Sequence, residues 1–190
     1  MATPQEVLDF WFGTPGEADY GKPRELWFRK SQETDETIRV RFGADVAAAI
    51  AGERDHWAST SRVTLALILL LDQFTRNIYR DTPRAFAGDP RAFALASAMV
   101  QLGDDRQLAP LERSFVYLPF EHFESLAAQQ ESIRLFGQLA AEGHPDLLVW
   151  AQKHFEIVAR FGRFPHRNAI LGRLSSPEEI AFLQQPGSRF

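Results

Sequence analysis

Three stretches of this sequence bring together residue types that can do chemistry. The first is Leu71-Asp72-Gln73-Phe74-Thr75-Arg76-Asn77-Ile78-Tyr79-Arg80, in which Asp72, Arg76 and Arg80 recur every four residues. On a helix these three stack on one face; Asp72 and Arg76 attract, while Arg76 and Arg80 repel unless an anion or acid lies between them. The second is Phe161-Gly162-Arg163-Phe164-Pro165-His166-Arg167-Asn168, where Gly162 and Pro165 force an irregular turn after a helix. From Arg160 to Arg173 there are four arginines, one histidine and no acid. Arg163, His166, Arg167 and Asn168 together suit the hydrogen-bonded capture of a phosphate or carboxylate. The third is Pro119-Phe120-Glu121-His122-Phe123-Glu124. Its carboxylates and imidazole suit acid–base work or the holding of a hard metal.

Each stretch also has a plain structural use. An Asp/Arg/Asn strip inside a helical protein commonly forms an ion-pair network. The arginine-rich turn can neutralise Glu121, Glu124 or Asp72 from a neighbouring helix. Glu121, His122 and Glu124 lack the HExxH spacing that sets two ligands on one helical face, so no metal and no cofactor is predicted. His154 falls on the apolar stripe Leu147, Trp150, Phe155, Val158 and Phe161, which reads as a histidine satisfied in the core. The chain has no cysteine, which excludes thiolate nucleophiles, disulfides and Cys-bound metals. No Gly-rich phosphate loop, nucleophile elbow or dinucleotide fingerprint is present.

The elements that must position these residues are helices. Thr3-Pro4-Gln5-Glu6 and Ser176-Pro177-Glu178-Glu179 are capping boxes with proline at the first helical position. Ile38, Phe42, Val46 and Ile50 recur every four residues, and Gly52 stops that helix. Pro83-Arg84-Ala85-Phe86-Ala87 recurs as Pro90-Arg91-Ala92-Phe93-Ala94, read as one turn, a break at Gly88 and a new helix. Pro110 opens a further helix that Pro119 is expected to interrupt, and Pro145 begins a long one closed by Gly162. No stretch alternates apolar and polar residues over a strand's length. The expectation is all-α: one domain over residues 1–190, an array of about nine to eleven antiparallel helices.

Bulk composition narrows the partners. The 190 residues are 45% hydrophobic and carry a net charge of −4, so the chain lacks the global field that draws nucleic acid or an anionic membrane. The longest apolar run, Leu65 to Leu71, falls far short of the ~20 residues of a membrane span. The N-terminal segment has no basic start or sustained apolar stretch of a secretory signal, and a cytoplasmic location is expected. Aromatic residues make up 12% of the chain, with 16 phenylalanines. Phe42, Phe74, Phe93, Phe115, Phe123, Phe155 and Phe182 fall on apolar stripes. Phe10, Phe12, Phe161 and Phe164 border turns or polar motifs, and are expected to wall a site.

Val7-Leu8-Asp9-Phe10-Trp11-Phe12-Gly13, the Leu71–Arg80 motif, Tyr117-Leu118-Pro119-Phe120-Glu121-His122 and the Phe161–Asn168 motif together resemble one family across nearly the whole chain. It is the mostly bacterial family known as domain of unknown function 924. The resemblance implies an all-helical fold similar to the tetratricopeptide-repeat superhelix, without that repeat's sequence signature, and it implies no activity. The residues themselves lead to an arginine-lined concavity for an anionic small molecule or acidic peptide end, lined by Arg76, Asn77, Arg80, Arg163, His166, Arg167 and Asn168. The alternative is a hydrolase or transferase of a phosphorylated or acidic metabolite, with His166 or His122 as general acid–base and Glu121 nearby. A third reading leaves the polar motifs to pin helices together, with function on an oligomer surface.

Overall fold

Caps and glycines divide the chain into eight helices in the computed structural model, which describes residues 1–188. The first, α1 (Pro4–Phe12), opens on a capping box: the Thr3 hydroxyl accepts from the Glu6 amide at 3.3 Å, and the Glu6 carboxylate accepts from the Thr3 amide at 2.7 Å. Ser31 caps α2 (Gln32–Ala51). Thr60 caps α3, which runs over residues 61–78 as an α-helix (Ser61–Ile68), a π-helical turn (Leu69–Phe74) and a last α-turn (Thr75–Ile78). Then come α4 (Asp89–Leu102), α5 (Pro110–His122), α6 (Leu126–Ala141), α7 (Pro145–Phe161) and α8 (Pro177–Leu183). No strand occurs among the described residues, and no described helix is long and apolar enough to cross a membrane.

Eight is fewer than the nine to eleven helices expected: Glu25–Trp27 closes only a 3₁₀ turn, too short to nucleate more, and Pro83–Phe86 is the single turn before the break at Gly88 that the repeat predicts. Pro119 costs α5 one backbone hydrogen bond but does not break it. Residues 112–121 are all buried, and packing on every side holds the backbone helical there.

The chain divides into two compact units. The first comprises residues 1–80 and 84–119. Its core is aromatic: Trp11 lies 5.3 Å from Phe74 and 5.7 Å from Phe115, Phe12 lies 5.4 Å from Phe115, and Phe10 lies 5.3 Å from Phe42. Tilted and edge-on contacts of this kind add roughly 0.5–1.5 kcal/mol each beyond the area they bury. Phe10 and Phe12 therefore belong to this core. Residues 64–75 of α3 are buried on all sides, so the helix is still enclosed where its side chains turn polar. Gly88 packs on the π-helical turn so closely that a Cβ there would lie 2.2 Å from the Leu71 carbonyl oxygen.

The second unit comprises residues 81–83 and, among the described residues, 120–188. Helices α6 and α7, joined by residues 142–144, pack as a hairpin. Ile157, Val158 and Phe164 form a small core, with Phe161 and Phe182 against it.

Candidate functional site

The π-helical turn sets the polar end of α3. There the Thr75 hydroxyl donates to the Leu71 carbonyl at 2.8 Å and Arg76 Nη1 donates to the Asp72 carbonyl. The Arg76 guanidinium also makes a two-pronged pair with Asp89, at 3.0 and 3.1 Å, and lies 3.2 Å from the buried Asp72 carboxylate. Burial works against its charge, but Asp72 and Asp89 outweigh that and raise its pKa. Asp35 of α2 accepts from Asn77 at 2.7 Å and from Arg80 Nε and Nη2 at 2.8 Å each. Arg76, Asn77 and Arg80 thus each meet an acid of their own unit, in an ion-pair network anchored by three aspartates.

The arginine-rich motif lies in the second unit, where it is held by carboxylates from two other segments. Gly162 ends α7 in the left-handed conformation (φ 71°), which turns the chain sharply towards Phe164 and the 3₁₀ turn Pro165–Arg167. Glu124 accepts the Phe164 amide at 2.7 Å and both Arg173 prongs at 2.6 and 2.9 Å. Burial raises the Glu124 pKa, but these hydrogen bonds and the charge of Arg167 pull it below the usual carboxylate range. Arg173 also donates to Asn168 Oδ1 at 2.9 Å, and Asn168 donates on to Ser175 at 3.0 Å. Arg163 grips Glu179 of α8 at 2.7 and 2.8 Å and reaches the Leu174 carbonyl at 2.8 Å. Hydrogen bonding to Arg163 is the main reason the Glu179 carboxyl is pulled down to about 2. Arg163 and Asn168 therefore fasten the loop to its surroundings.

What this loop delivers is Phe164, His166 and Arg167. Phe164 is fully buried, edge-on to His154 of α7 at 5.5 Å and tilted against His166 at 5.6 Å. The Arg167 guanidinium carbon sits 4.6 Å from the Phe164 ring centre. From the C-terminal end of α5, Glu121 brings its buried carboxylate to 3.1 Å from His154 Nδ1, and the His122 ring lies 6.1 Å from that of His154. Gln129 of α6, itself fully buried, fixes this helix end by donating to the carbonyls of Phe120, Glu121 and Phe123. His154 Nδ1 also lies 2.9 Å from the Trp150 carbonyl, a contact in which the nitrogen must be the donor. Burial, then the positive potential of His122, pull the His154 pKa down to about 3, against the favourable Trp150 bond; Arg167 and His166 push the same way. The imidazole facing Glu121 is therefore neutral, its Nδ1 proton is directed to the Trp150 carbonyl, and the 3.1 Å approach of Glu121 is a close contact rather than an ion pair.

Three of the five histidines, one buried glutamate and one buried arginine thus converge around Phe164. The expected residues Glu121, His122, His166 and Arg167 are all here. His154 is as buried as a core position demands, yet its partner is an acid. No periodicity reveals that pairing, since Glu121 and His154 sit on separate helices. Two shallow hollows in the first unit, lined by Met1, Ala2, Glu6, Arg41 and Phe42 and by Phe10, Leu26, Glu33, Thr34 and Thr37, contain no histidine. Their polar groups are Glu6 and Arg41 in the one and Glu33, Thr34 and Thr37 in the other, so the imidazoles that acid–base chemistry calls for lie in the second unit instead.

The fold and this cluster define an all-α protein with three of its five histidines gathered in its C-terminal half. The chain belongs to the family described as bacterial protein of unknown function (DUF924), whose model matches residues 7–187. It is similar to the solved structure of the protein of unknown function ATU0120 from Agrobacterium tumefaciens. The two are 39% identical, the match covers 95% of this chain and 96% of that one, and the TM-score is 0.83. A comparison with curated proteins finds no match.

Proposed function

We propose that the second unit carries an acid–base site for a small anionic molecule, making the protein a hydrolase or transferase of phosphorylated or acidic metabolites. The observation that carries this reading is the buried contact of Glu121 with His154 Nδ1 at 3.1 Å, beside His122, His166 and Arg167. The Trp150 carbonyl and Glu121 hold the His154 ring in place, and His166 beside it is the imidazole that takes or gives the proton. Arg167, with His166 beside it, supplies the positive potential for the substrate's anionic group. In this reading the arginine-lined binding surface narrows to the Arg167 end of its motif. Arg76, Asn77, Arg80, Arg163 and Asn168 position helices and loop. The α6–α7 hairpin supports a scaffold of the tetratricopeptide-like kind, built from paired helices.

Thermal melts against inorganic phosphate, phosphate monoesters and small carboxylic acids test the reading. A ligand at a hundred times its Kd stabilises by about 2.7 kcal/mol. For a chain of this length that raises the melting temperature by roughly 5–10 °C. His166→Ala, a half-exposed position, should fold normally and lose the shift. If no compound in the panel moves the melt, or if His166→Ala keeps the full shift, the reading fails.

A further inference from the structure

We infer that Glu121, His122 and His154 form a binding site for one divalent transition-metal ion of the zinc class. The inference rests on reading this cluster as the functional site, and it names an ion that this site would hold. One donor atom from each of the three residues lies within 4.8 Å of the other two. Around a tetrahedral zinc, with bonds of about 2.0–2.2 Å, neighbouring donors are roughly 3.3 Å apart. The three donors need therefore close by only about 1.5 Å to meet on one ion.

The donor set selects the metal. Two imidazoles and one carboxylate suit zinc, or iron(II) in its two-histidine, one-carboxylate arrangement, whereas calcium and magnesium demand oxygen throughout. Three protein ligands are also the number found where the fourth position is kept for water or substrate. The surroundings supply the outer partners that metal-bound histidines use. His154 Nδ1 donates to the Trp150 carbonyl at 2.9 Å, which leaves the lone pair on Nε2. Gln129 donates to the Glu121 carbonyl at 2.6 Å and so holds the backbone that carries two of the donors.

The sequence hides this set because its local triplet, Glu121, His122 and Glu124, contains one wrong member. Glu124 is committed to Arg173 and the Phe164 amide, and the third donor comes instead from α7. Phe164 and Arg167 border the cluster, so the positive potential that would draw a substrate anion lies next to the residues that would hold the metal.

The test is calorimetric titration of the full chain, stripped with a chelator, with Zn²⁺, accompanied by the visible spectrum of its Co²⁺ form. The expected result is about one equivalent bound and the intense bands of a four-coordinate cobalt centre. Glu121→Gln and His122→Ala should each weaken Zn²⁺ binding by at least ~100-fold, beyond the roughly 10–100-fold typical of an outer-shell partner such as Gln129. His56→Ala and His144→Ala should bind as the parent does. His122 is only half-buried, so His122→Ala separates ligand loss from misfolding, with circular dichroism as the check. Absence of stoichiometric Zn²⁺ binding, or binding that survives both Glu121→Gln and His122→Ala, overturns the inference. Phosphate melts run on the stripped protein keep the two readings apart. A phosphate shift without Zn²⁺ binding defeats the metal site alone, and Zn²⁺ binding without any anion shift defeats the anionic substrate alone.

Discussion

Replacing Glu124 by alanine removes the clamp that holds the site loop, and the cost can be worked from its three hydrogen bonds. Two run from Arg173 at 2.6 and 2.9 Å and one from the Phe164 amide at 2.7 Å. A hydrogen bond to a charged group contributes about 1.5–3 kcal/mol, and a buried amide left without its acceptor costs about 1–3 kcal/mol. The Arg173 and Glu124 side chains are 25% and 23% exposed, so water offsets part of the ionic contribution. A net loss of about 3 kcal/mol follows. At roughly 2–4 °C per kcal/mol for a chain this long, Glu124→Ala should melt about 6–12 °C below the parent. It stays folded at 25 °C, because typical domains hold about 5–15 kcal/mol in reserve. Glu124→Gln keeps an acceptor for the Phe164 amide and loses the charge, so it should cost about half as much. Thermal melts followed by circular dichroism give both numbers. A Glu124→Ala melt within 1 °C of the parent refutes the clamp, and a glutamine variant as damaged as the alanine variant refutes the assignment of half the effect to Phe164.

Three further outcomes are expected. Gly88→Ala forces a Cβ to 2.2 Å from the Leu71 carbonyl oxygen, against backbone that has no room to give. Strain of this kind costs about 1–3 kcal/mol or more, which a urea midpoint will show, and a neutral effect would mean that α3 and Gly88 are not in contact. The Glu179 carboxyl, held at about 2 by Arg163 against 4.5 for an unperturbed glutamate, binds its proton later in the folded than in the unfolded chain. Its stabilisation is complete above pH 4.5 and is lost as the pH falls towards 2. Urea midpoints measured across that window should drop less steeply in Glu179→Gln, and parallel curves would contradict the assignment. Arg163→Ala, which leaves Glu179 with its Ser176 cap, should melt lower yet remain folded and still show the phosphate shift; an unfolded variant would mean that the loop depends on Arg163 more than on Glu124.

Local physics was the legible part of this fold. The capping boxes at Thr3 and Ser176 need only residues three apart, and both form as the sequence predicts. The enclosure of Asp72 was legible too, because an apolar helix that turns polar without becoming amphipathic has nowhere to be but inside. Signals failed where packing at a distance decides. Pro119 looks like a helix break until the burial of its neighbours is known. Phe10 and Phe12 border a turn, yet their rings join Phe42 and Phe115 in the first unit's core, since nearness in sequence to a turn does not say which way a ring points. The spacing predicts the Asp72–Arg76 pair, but the further partners Asp89 of Arg76 and Asp35 of Arg80 lie on other helices and carry no pattern that links them to the motif. The site was half legible for the same reason. Glu121, His122, His166 and Arg167 stand out as types, whereas His154 belongs to them only because α7 carries it to Glu121.

In the proposed function, anions meet this protein at the imidazoles around Phe164. Long-range ¹H–¹⁵N spectra of the five histidines, recorded at one fixed pH while inorganic phosphate is added to the metal-free protein, test it most directly. His122, His154 and His166 should move together and saturate along one binding curve, with His56 and His144 unmoved. Signals that stay in place throughout, or that shift as much at His56 and His144 as in the cluster, would contradict it.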